Sequence, residues 1–357
     1  MKVSLPRMDV EEKLRFAVLP DQLLAWYEKN ARELPWRIGP KARRSRAKPD
    51  PYRVWLAEIM LQQTTVPHAT RYYYDFLSRW PTVDDLAQAA DSDVMAAWAG
   101  LGYYARARNL LKCAREISTR GAWPETASEL KKLPGIGPYT AGAVAALAFG
   151  EQSAAVDGNV ERVFARLLAA EGDWKHEKKR IADLAAHLVP ADRPAEFAEA
   201  LMDLGATICT PKSPACDLCP LAELCKARAL GTPSRFPVKP KRAPNPQRCG
   251  QVFVVLDGKG NVLTERRPES GLLGGMVGLP TSAWNEGVSP EVDYPFCADW
   301  QLVGQVKHVF THFDLKLDVW RMEASESLAD AQSLESVEAA LPSVFKKALK
   351  LAVDKPN

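Results

Sequence analysis

Leu133-Pro-Gly-Ile-Gly-Pro138, set between helical stretches at Glu125 to Lys132 and Tyr139 to Phe149, decides how the first two thirds of this chain are read. Two glycines let the backbone turn tightly and bring amide N–H groups close to another molecule, and Pro138 suits the first turn of the next helix. Amides exposed at a helix N-terminus make an anion site. An ordinary corner between helices would explain one glycine; two of them, Gly135 and Gly137, flanked by prolines, favour a grip on phosphate.

Outward from this hairpin, residues from about 18 to 206 read as further helices with short breaks: Asp21 to Asn30, Pro51 to Gln63, Tyr103 to Thr119, Gly158 to Ala170 and Pro194 to Ala206. The portion is expected to be all-α. GTPSRFPVKPKRAPNPQ then reads as a linker, because proline and basic residues crowd together and no apolar periodicity survives. Beyond it Gln251 to Leu256, a turn at Asp257 to Gly260, and Asn261 to Thr264 read as a β-hairpin. His312 to Trp320 alternates like a half-buried strand, and Val337 to Val353 is expected to close the chain as a helix, so this part is α+β.

At 357 residues the chain is long enough for more than one domain, each with its own core. From Gly250 onward ten basic residues face fifteen acidic ones, a net of −5, which leaves +8 for residues 1 to 249. The basic excess therefore sits in the helical part, as expected for a region that meets a polyanion. No run of eighteen apolar residues exists and the N-terminus lacks the apolar core of a signal peptide, so a membrane span is excluded and a cytosolic location is expected. The charge-dense run Lys41 to Lys48 is expected as an exposed loop, either disordered or touching phosphate.

Cys209, Cys216, Cys219 and Cys225 follow the spacing C-x6-C-x2-C-x5-C. Such clustering in a cytosolic chain argues for a metal site over disulfides. Structural zinc usually takes two close pairs, and here only one close pair exists, so a cubane iron–sulfur cluster on four thiolates is favoured over zinc.

Two carboxylates stand out. Glu58 lies within the apolar run Val54 to Leu61, and at helical spacing its neighbours are Val54, Trp55, Leu61 and Gln62. Burial there would raise its pKa, as a general acid near neutral pH requires; a glutamate facing solvent is the alternative. Asp157, in Val156-Asp-Gly-Asn-Val160, sits where a helix starts and is expected to cap it as an anion. One proton-holding carboxyl and one fixed anion is the pairing that hydrolysis through an oxocarbenium-like transition state uses.

With the cysteine pattern, LPGIG and VDGN in this order, the chain resembles the helix-hairpin-helix base-excision glycosylases, and most closely the MutY-type adenine DNA glycosylases. Leu34-Pro-Trp-Arg37, Trp55 to Thr64, Gly100 to Asn109 and Met202-Asp-Leu-Gly205 are similar to further blocks of that family. The resemblance implies an all-α core over residues 1–231. This comprises a six-helix domain at about 45–155 and an iron–sulfur domain built from the N-terminal helices and 156–231. A linker at 232–249 and a Nudix-like lesion-recognition domain at 250–357 would follow. It implies one [4Fe-4S] cluster and a monomeric enzyme. Its partner would be double-stranded DNA in which adenine opposes 8-oxoguanine or guanine and is flipped out of the helix.

By position the resemblance makes Glu58 the acid and Asp157 the stabilising carboxylate, with Tyr139 and Asn159 beside them. The adenine pocket would draw on Arg32, Leu34, Trp36, Arg37, Leu61 and Glu199. Gln63 and Thr64 would fill or border the gap in the duplex, Tyr103 would intercalate, and Phe310-Thr-His312 would meet the oxidised guanine. Relatives that also cut the strand carry a lysine at position 139 that attacks the sugar; a phenol forms no imine, so base removal alone is expected. No R-E-x-x-E-E box follows Gly271 to Met276, so nucleotide hydrolysis by the C-terminal domain is not expected. Three alternatives remain at this point: a bifunctional pyrimidine-lesion glycosylase, a non-catalytic iron–sulfur DNA-binding module, and a nucleotide hydrolase.

Overall fold

The computed structural model describes residues 10–45, 47–240, 243–268, 271–287, 291–328 and 330–354. It divides the chain into a unit formed by Met1–Ala97 with Arg106–Lys241, and a second formed by Trp98–Ala105 with Arg242–Asn357.

The first unit is helical. Asp50 caps the helix Pro51–Met60 by accepting from the Tyr52 amide at 2.9 Å, and Pro51 occupies its first turn, where a missing N–H costs nothing. Every residue of this helix from Val54 to Met60 is buried, so the central carboxyl of Glu58 is carried into the interior. The helix stops short of the expected Gln63 because Gln63 adopts a left-handed backbone, φ 61°. Arg106, on the helix Ala105–Arg120, donates from Nη1 to the carbonyls of Ile59 and Met60 at 2.8 and 3.3 Å, satisfying that end.

A separate cluster packs Leu19, Leu23 and Tyr27 of Leu19–Asn30 against Val160, Phe164 and Leu167 of Gly158–Leu168 and against Phe197, Leu201 and Leu204. The helices expected over Tyr139 to Phe149 and Pro194 to Ala206 exist as Pro138–Val144 and Pro194–Asp203. Each is prolonged by a wider π turn, Ala145–Phe149 and Leu204–Ile208. The stretch from Glu125 to Lys132 shrinks to one short helix, Ala127–Leu130. The basic run is exposed as expected at its described residues apart from the half-buried Arg43, but its first part is not a loop: Pro40–Arg44 is a short helix started by Pro40, while Arg46 lies outside the described residues.

In the second unit the strand Gln247–Leu256 runs parallel to Asp314–Glu323 over ten paired positions, and Gln301–Val309 pairs antiparallel with the latter. Val262–Leu263 and Ala331–Gln332 extend the sheet on its other side. The first strand begins at Gln247, inside the expected linker. The alternation read at 312 to 320 is real: Leu315, Leu317 and Val319 face one core with Val252 and Val254. The closing helix is broken in two, Leu334–Ala340 and Ser343–Val353, because Pro342 cannot continue the first. Val344, Phe345, Ala348, Leu349 and Ala352 of the second helix cover the sheet.

Candidate active site and cysteine cluster

The hairpin behaves as its composition demands at one glycine and differently at the other. Gly135 has φ +74°, and a Cβ there would lie 2.6 Å from Cβ of Asn109, so both conformation and space require glycine. Gly137 is extended, with nothing near a Cβ; its bare backbone precedes Pro138 and leaves the helix start uncovered.

The helix begun there carries Tyr139, whose hydroxyl donates to Oε2 of Glu58 at 2.7 Å. Thr140, next in the chain, accepts from Nε2 of Gln62 at 3.2 Å, so the two helices are tied on both sides of the contact. Glu58 is only 4% exposed. Burial pushes its carboxyl up to about 7, against the opposing pull of the Tyr139 hydroxyl and the Arg37 cation, while the charges of Asp157 and Glu199 raise it further. Tyr139 is itself held protonated, well above the ordinary phenol range, by burial and then by the nearby Glu58 and Asp157 charges. The two carboxylates and the phenol therefore share one electrostatic neighbourhood.

Asp157 is fixed by local geometry. It caps Gly158–Leu168, its Oδ1 accepting from the amides of Asn159 and Val160 at 2.9 and 2.8 Å and its Oδ2 from Nδ2 of Asn159 at 2.8 Å. The segment leading to it presses on the Tyr139 helix: a Cβ on Gly142 would sit 2.3 Å from the Ala154 carbonyl oxygen. Gly205 does the same on the other side, where a Cβ would lie 2.6 Å from Cβ of Asn159. Arg162 then joins these parts, donating from Nη2 to Oδ1 of Asn159 at 2.8 Å and to the Gly205 carbonyl at 2.6 Å, and from Nε to the Cys209 carbonyl at 2.8 Å.

A second buried polar group lies on Pro194–Asp203. Glu199 and Asp203, four residues apart and thus on one face, are 1% and 0% exposed. Asp203 Oδ1 receives Nε of Arg32 at 2.6 Å and Nη1 of Arg37 at 2.7 Å. Glu199 Oε2 receives the Tyr27 hydroxyl at 2.6 Å, and its Oε1 receives Nη2 of Arg43 at 3.1 Å. Burial opposes the Arg37 cation, but Glu199 and Asp203 more than offset it and raise its pKa.

Of the pocket residues expected from the sequence, Arg32, Arg37 and Glu199 thus converge. Trp36 is buried edge-on to Tyr73, ring centres 5.3 Å apart, and Leu34 and Leu61 are half-buried. Tyr27, Asp203, Arg43 and Arg162 were not anticipated. Asp203 had a signal: like Glu58 it is a carboxylate inside an apolar helical run. Arg43 had none.

Gln63 is exposed and Thr64 half-buried, with Oγ1 of Thr64 donating to the Gln62 carbonyl at 3.4 Å. In the second unit Tyr103, half exposed and with φ 49°, accepts a hydrogen bond from Oγ1 of Thr311 at 3.1 Å. Phe310 stacks on Trp284 and lies near Phe313, with ring centres 6.0 and 4.9 Å apart, and His312 is exposed beside it.

Cys209, Cys216, Cys219 and Cys225 line one cavity with Arg166 and Arg228. Burial pushes the Cys219 thiol up to about 12 and raises those of Cys216 and Cys225, each raised further by its neighbouring cysteines. Arg166 is almost wholly buried and donates to Sγ of Cys209 at 3.2 Å and to the carbonyls of Thr210 and Pro211 at 2.7 and 2.8 Å. Four thiols around a space, with a buried cation against one of them, fit a negatively charged thiolate cluster.

Comparison with known proteins agrees with this architecture. A model described as HhH-GPD superfamily base excision DNA repair protein matches residues 56–191, one for the iron–sulfur binding domain of endonuclease III matches 209–225, and one for a NUDIX domain matches 251–351. The chain is 34% identical to the adenine DNA glycosylase of Rattus norvegicus, covering 92% of this chain and 77% of that protein. It is 33% identical to that of Schizosaccharomyces pombe, covering 82% and 78%. Against the human adenine DNA glycosylase identity is 35% over 84% of this chain, which spans 65% of the human length. Among solved structures, a thermostable thymine-DNA glycosylase superposes with TM-score 0.54 at 30% identity, over 62% of this chain and 100% of its own. Endonuclease III trapped on DNA shares the fold at TM-score 0.51 and 24% identity, over 63% of this chain and 99% of its own. The segment 209–225, whose four cysteines line one cavity, is the matched iron–sulfur region that supports a [4Fe-4S] cluster, and the chain belongs to the adenine DNA glycosylase family of helix-hairpin-helix base-excision repair proteins.

Proposed function

We propose that the chain is a monofunctional DNA glycosylase that hydrolyses the N-glycosidic bond of adenine mispaired with 8-oxoguanine or guanine. The observation that carries the reading is the buried Glu58, bonded to Tyr139 and poised to hold a proton near neutral pH, in the electrostatic neighbourhood of the hydrogen-bonded Asp157.

Glu58 gives its proton to a ring nitrogen of the flipped purine. The bond from the sugar to the base breaks with its electron pair leaving on the base, and the Asp157 carboxylate stabilises the resulting oxocarbenium-like sugar. Water then adds to the sugar and gives up one proton to solvent, leaving an abasic strand. Asn159 orients Asp157, and Tyr139 orients Glu58 without being able to form an imine. The pocket reading rests on the buried group of Arg32, Arg37 and Glu199. The glycine hairpin would hold phosphate, which positions the duplex without reading its sequence. Left-handed backbones at Gln63 and Tyr103 support DNA contacts there, since backbone strain of this kind clusters at functional sites.

The cluster, when bound by the four cysteines, supplies a fixed centre of charge that orders the loop from Cys209 to Cys225. No step of the hydrolysis needs it. The test is incubation of the protein with a duplex holding one 8-oxoguanine·adenine pair, followed by alkali. Strand breakage at the adenine only after alkali, absent with Glu58→Gln, is the expected result. Breakage without alkali, or a borohydride-trapped adduct, would overturn the monofunctional assignment.

A further inference from the structure

The basic run at 41–48 takes no part in the proposed reaction, and the structure half-buries one of its residues, Arg43. Arg43 is 13% exposed in its side chain, whereas Arg44 beside it is 57% exposed and meets Glu28 at 3.6 Å. Arg43 also donates from Nε to the Ile38 carbonyl at 3.2 Å and from Nη1 to the Leu147 carbonyl at 3.4 Å, which anchors the guanidinium against the π turn that prolongs the Tyr139 helix. It lines a cavity of about 640 Å³ with Arg44, Lys48, Phe149 and Arg193, so it stands between that space and the buried network.

Within the network the arginines divide their work. Arg37 is committed to Asp203 at 2.7 Å and reaches Glu199 only at 3.9 Å, and Arg32 also serves Asp203. Among the described residues, Arg43 is the arginine within hydrogen-bond distance of Glu199. With Tyr27 on Oε2 and Arg43 on Oε1, both oxygens of the carboxylate are pinned. A carboxylate so held is an acceptor that matches an exocyclic amine and opposes a carbonyl at the same edge of a purine.

We propose that Arg43 is a positioning residue of the purine pocket, fixing Glu199 as the acceptor for the exocyclic amine of the flipped base. The inference rests on the adenine reading above. Arg43 thereby serves base selection rather than phosphate binding.

Single-turnover excision opposite 8-oxoguanine, measured for adenine and for unsubstituted purine, tests this with Arg43→Gln, Arg43→Lys and Arg44→Gln. Arg43→Gln is expected to slow adenine release about tenfold, the scale of losing one charge-assisted hydrogen bond. Purine, which has no amine, should slow less, so the preference for adenine narrows. Arg43→Lys recovers part of the rate, Arg44→Gln behaves as wild type, and affinity for undamaged duplex keeps its salt dependence in all three. Three results overturn the proposal: an unchanged adenine preference; an equal fall on both bases together with a lower unfolding temperature; or a salt slope reduced by about one with the preference intact, the mark of a lost phosphate contact. If wild type releases no adenine, the underlying reading fails before any variant is compared.

Discussion

Replacing Glu58 with glutamine should make the protein more stable in mild base while silencing it. The carboxyl is 4% exposed and its pKa stands at about 7 instead of 4.5, chiefly through burial. The folded chain therefore binds this proton more tightly than the unfolded chain does. The stabilisation that goes with it is complete below pH 4.5 and is lost as pH rises through about 7. At 1.36 kcal/mol per unit the loss is on the order of 3 kcal/mol. Glutamine keeps the shape and can still accept from Tyr139, but it never ionises. The stability of Glu58→Gln relative to wild type should thus grow by about 3 kcal/mol between pH 4.5 and pH 8. Denaturant midpoints of both proteins across that range measure it. Parallel curves would refute a buried, proton-holding Glu58, whatever the activity assay says.

Tyr139→Phe removes the hydroxyl that lowers the Glu58 pKa, so the alkaline limb of the excision profile should move to higher pH; a downward move would contradict the assigned hydrogen bond. Gly142→Ala should destabilise by roughly 2 kcal/mol or more, because its Cβ would meet backbone rather than a yielding side chain, as a shifted thermal midpoint would show. Gly135→Ala is expected to weaken binding to all duplexes alike, measured by titration with unrelated sequences, since it disturbs a phosphate grip and no base contact. Arg162→Ala should slow excision at unchanged duplex affinity, for it holds Asn159 behind Asp157.

Much of this was legible in the sequence because the relevant physics is local. An aspartate before Gly-Asn-Val at a helix start, a glutamate inside an apolar helical run and four clustered cysteines each carry their chemistry with them. The helix ends were less legible: Gln63 turns left-handed and two helices widen into π turns, neither of which leaves a compositional mark. Pro342 did leave one, and it outweighs the apolar periodicity running through it. The buried arginines were hidden for a different reason. Each of Arg43 and Arg162 has a local partner, Ile38 or Asn159, but the contacts that draw them into the buried network, to Glu199 and to Gly205, lie more than forty residues away along the chain, so nothing near them distinguishes a network member from a solvated charge.

The left-handed backbones at Gln63 and Tyr103 also bear on how such a protein tolerates change. Glycine would adopt either conformation without penalty, so a chain selected for folding alone would drift toward it at both positions. Under the proposed DNA contacts, the large side chains at these two positions would trade stability for binding. Thermostabilising screens that reward only resistance to heat should recover glycine there, and the survivors should be sturdier proteins that do their work poorly.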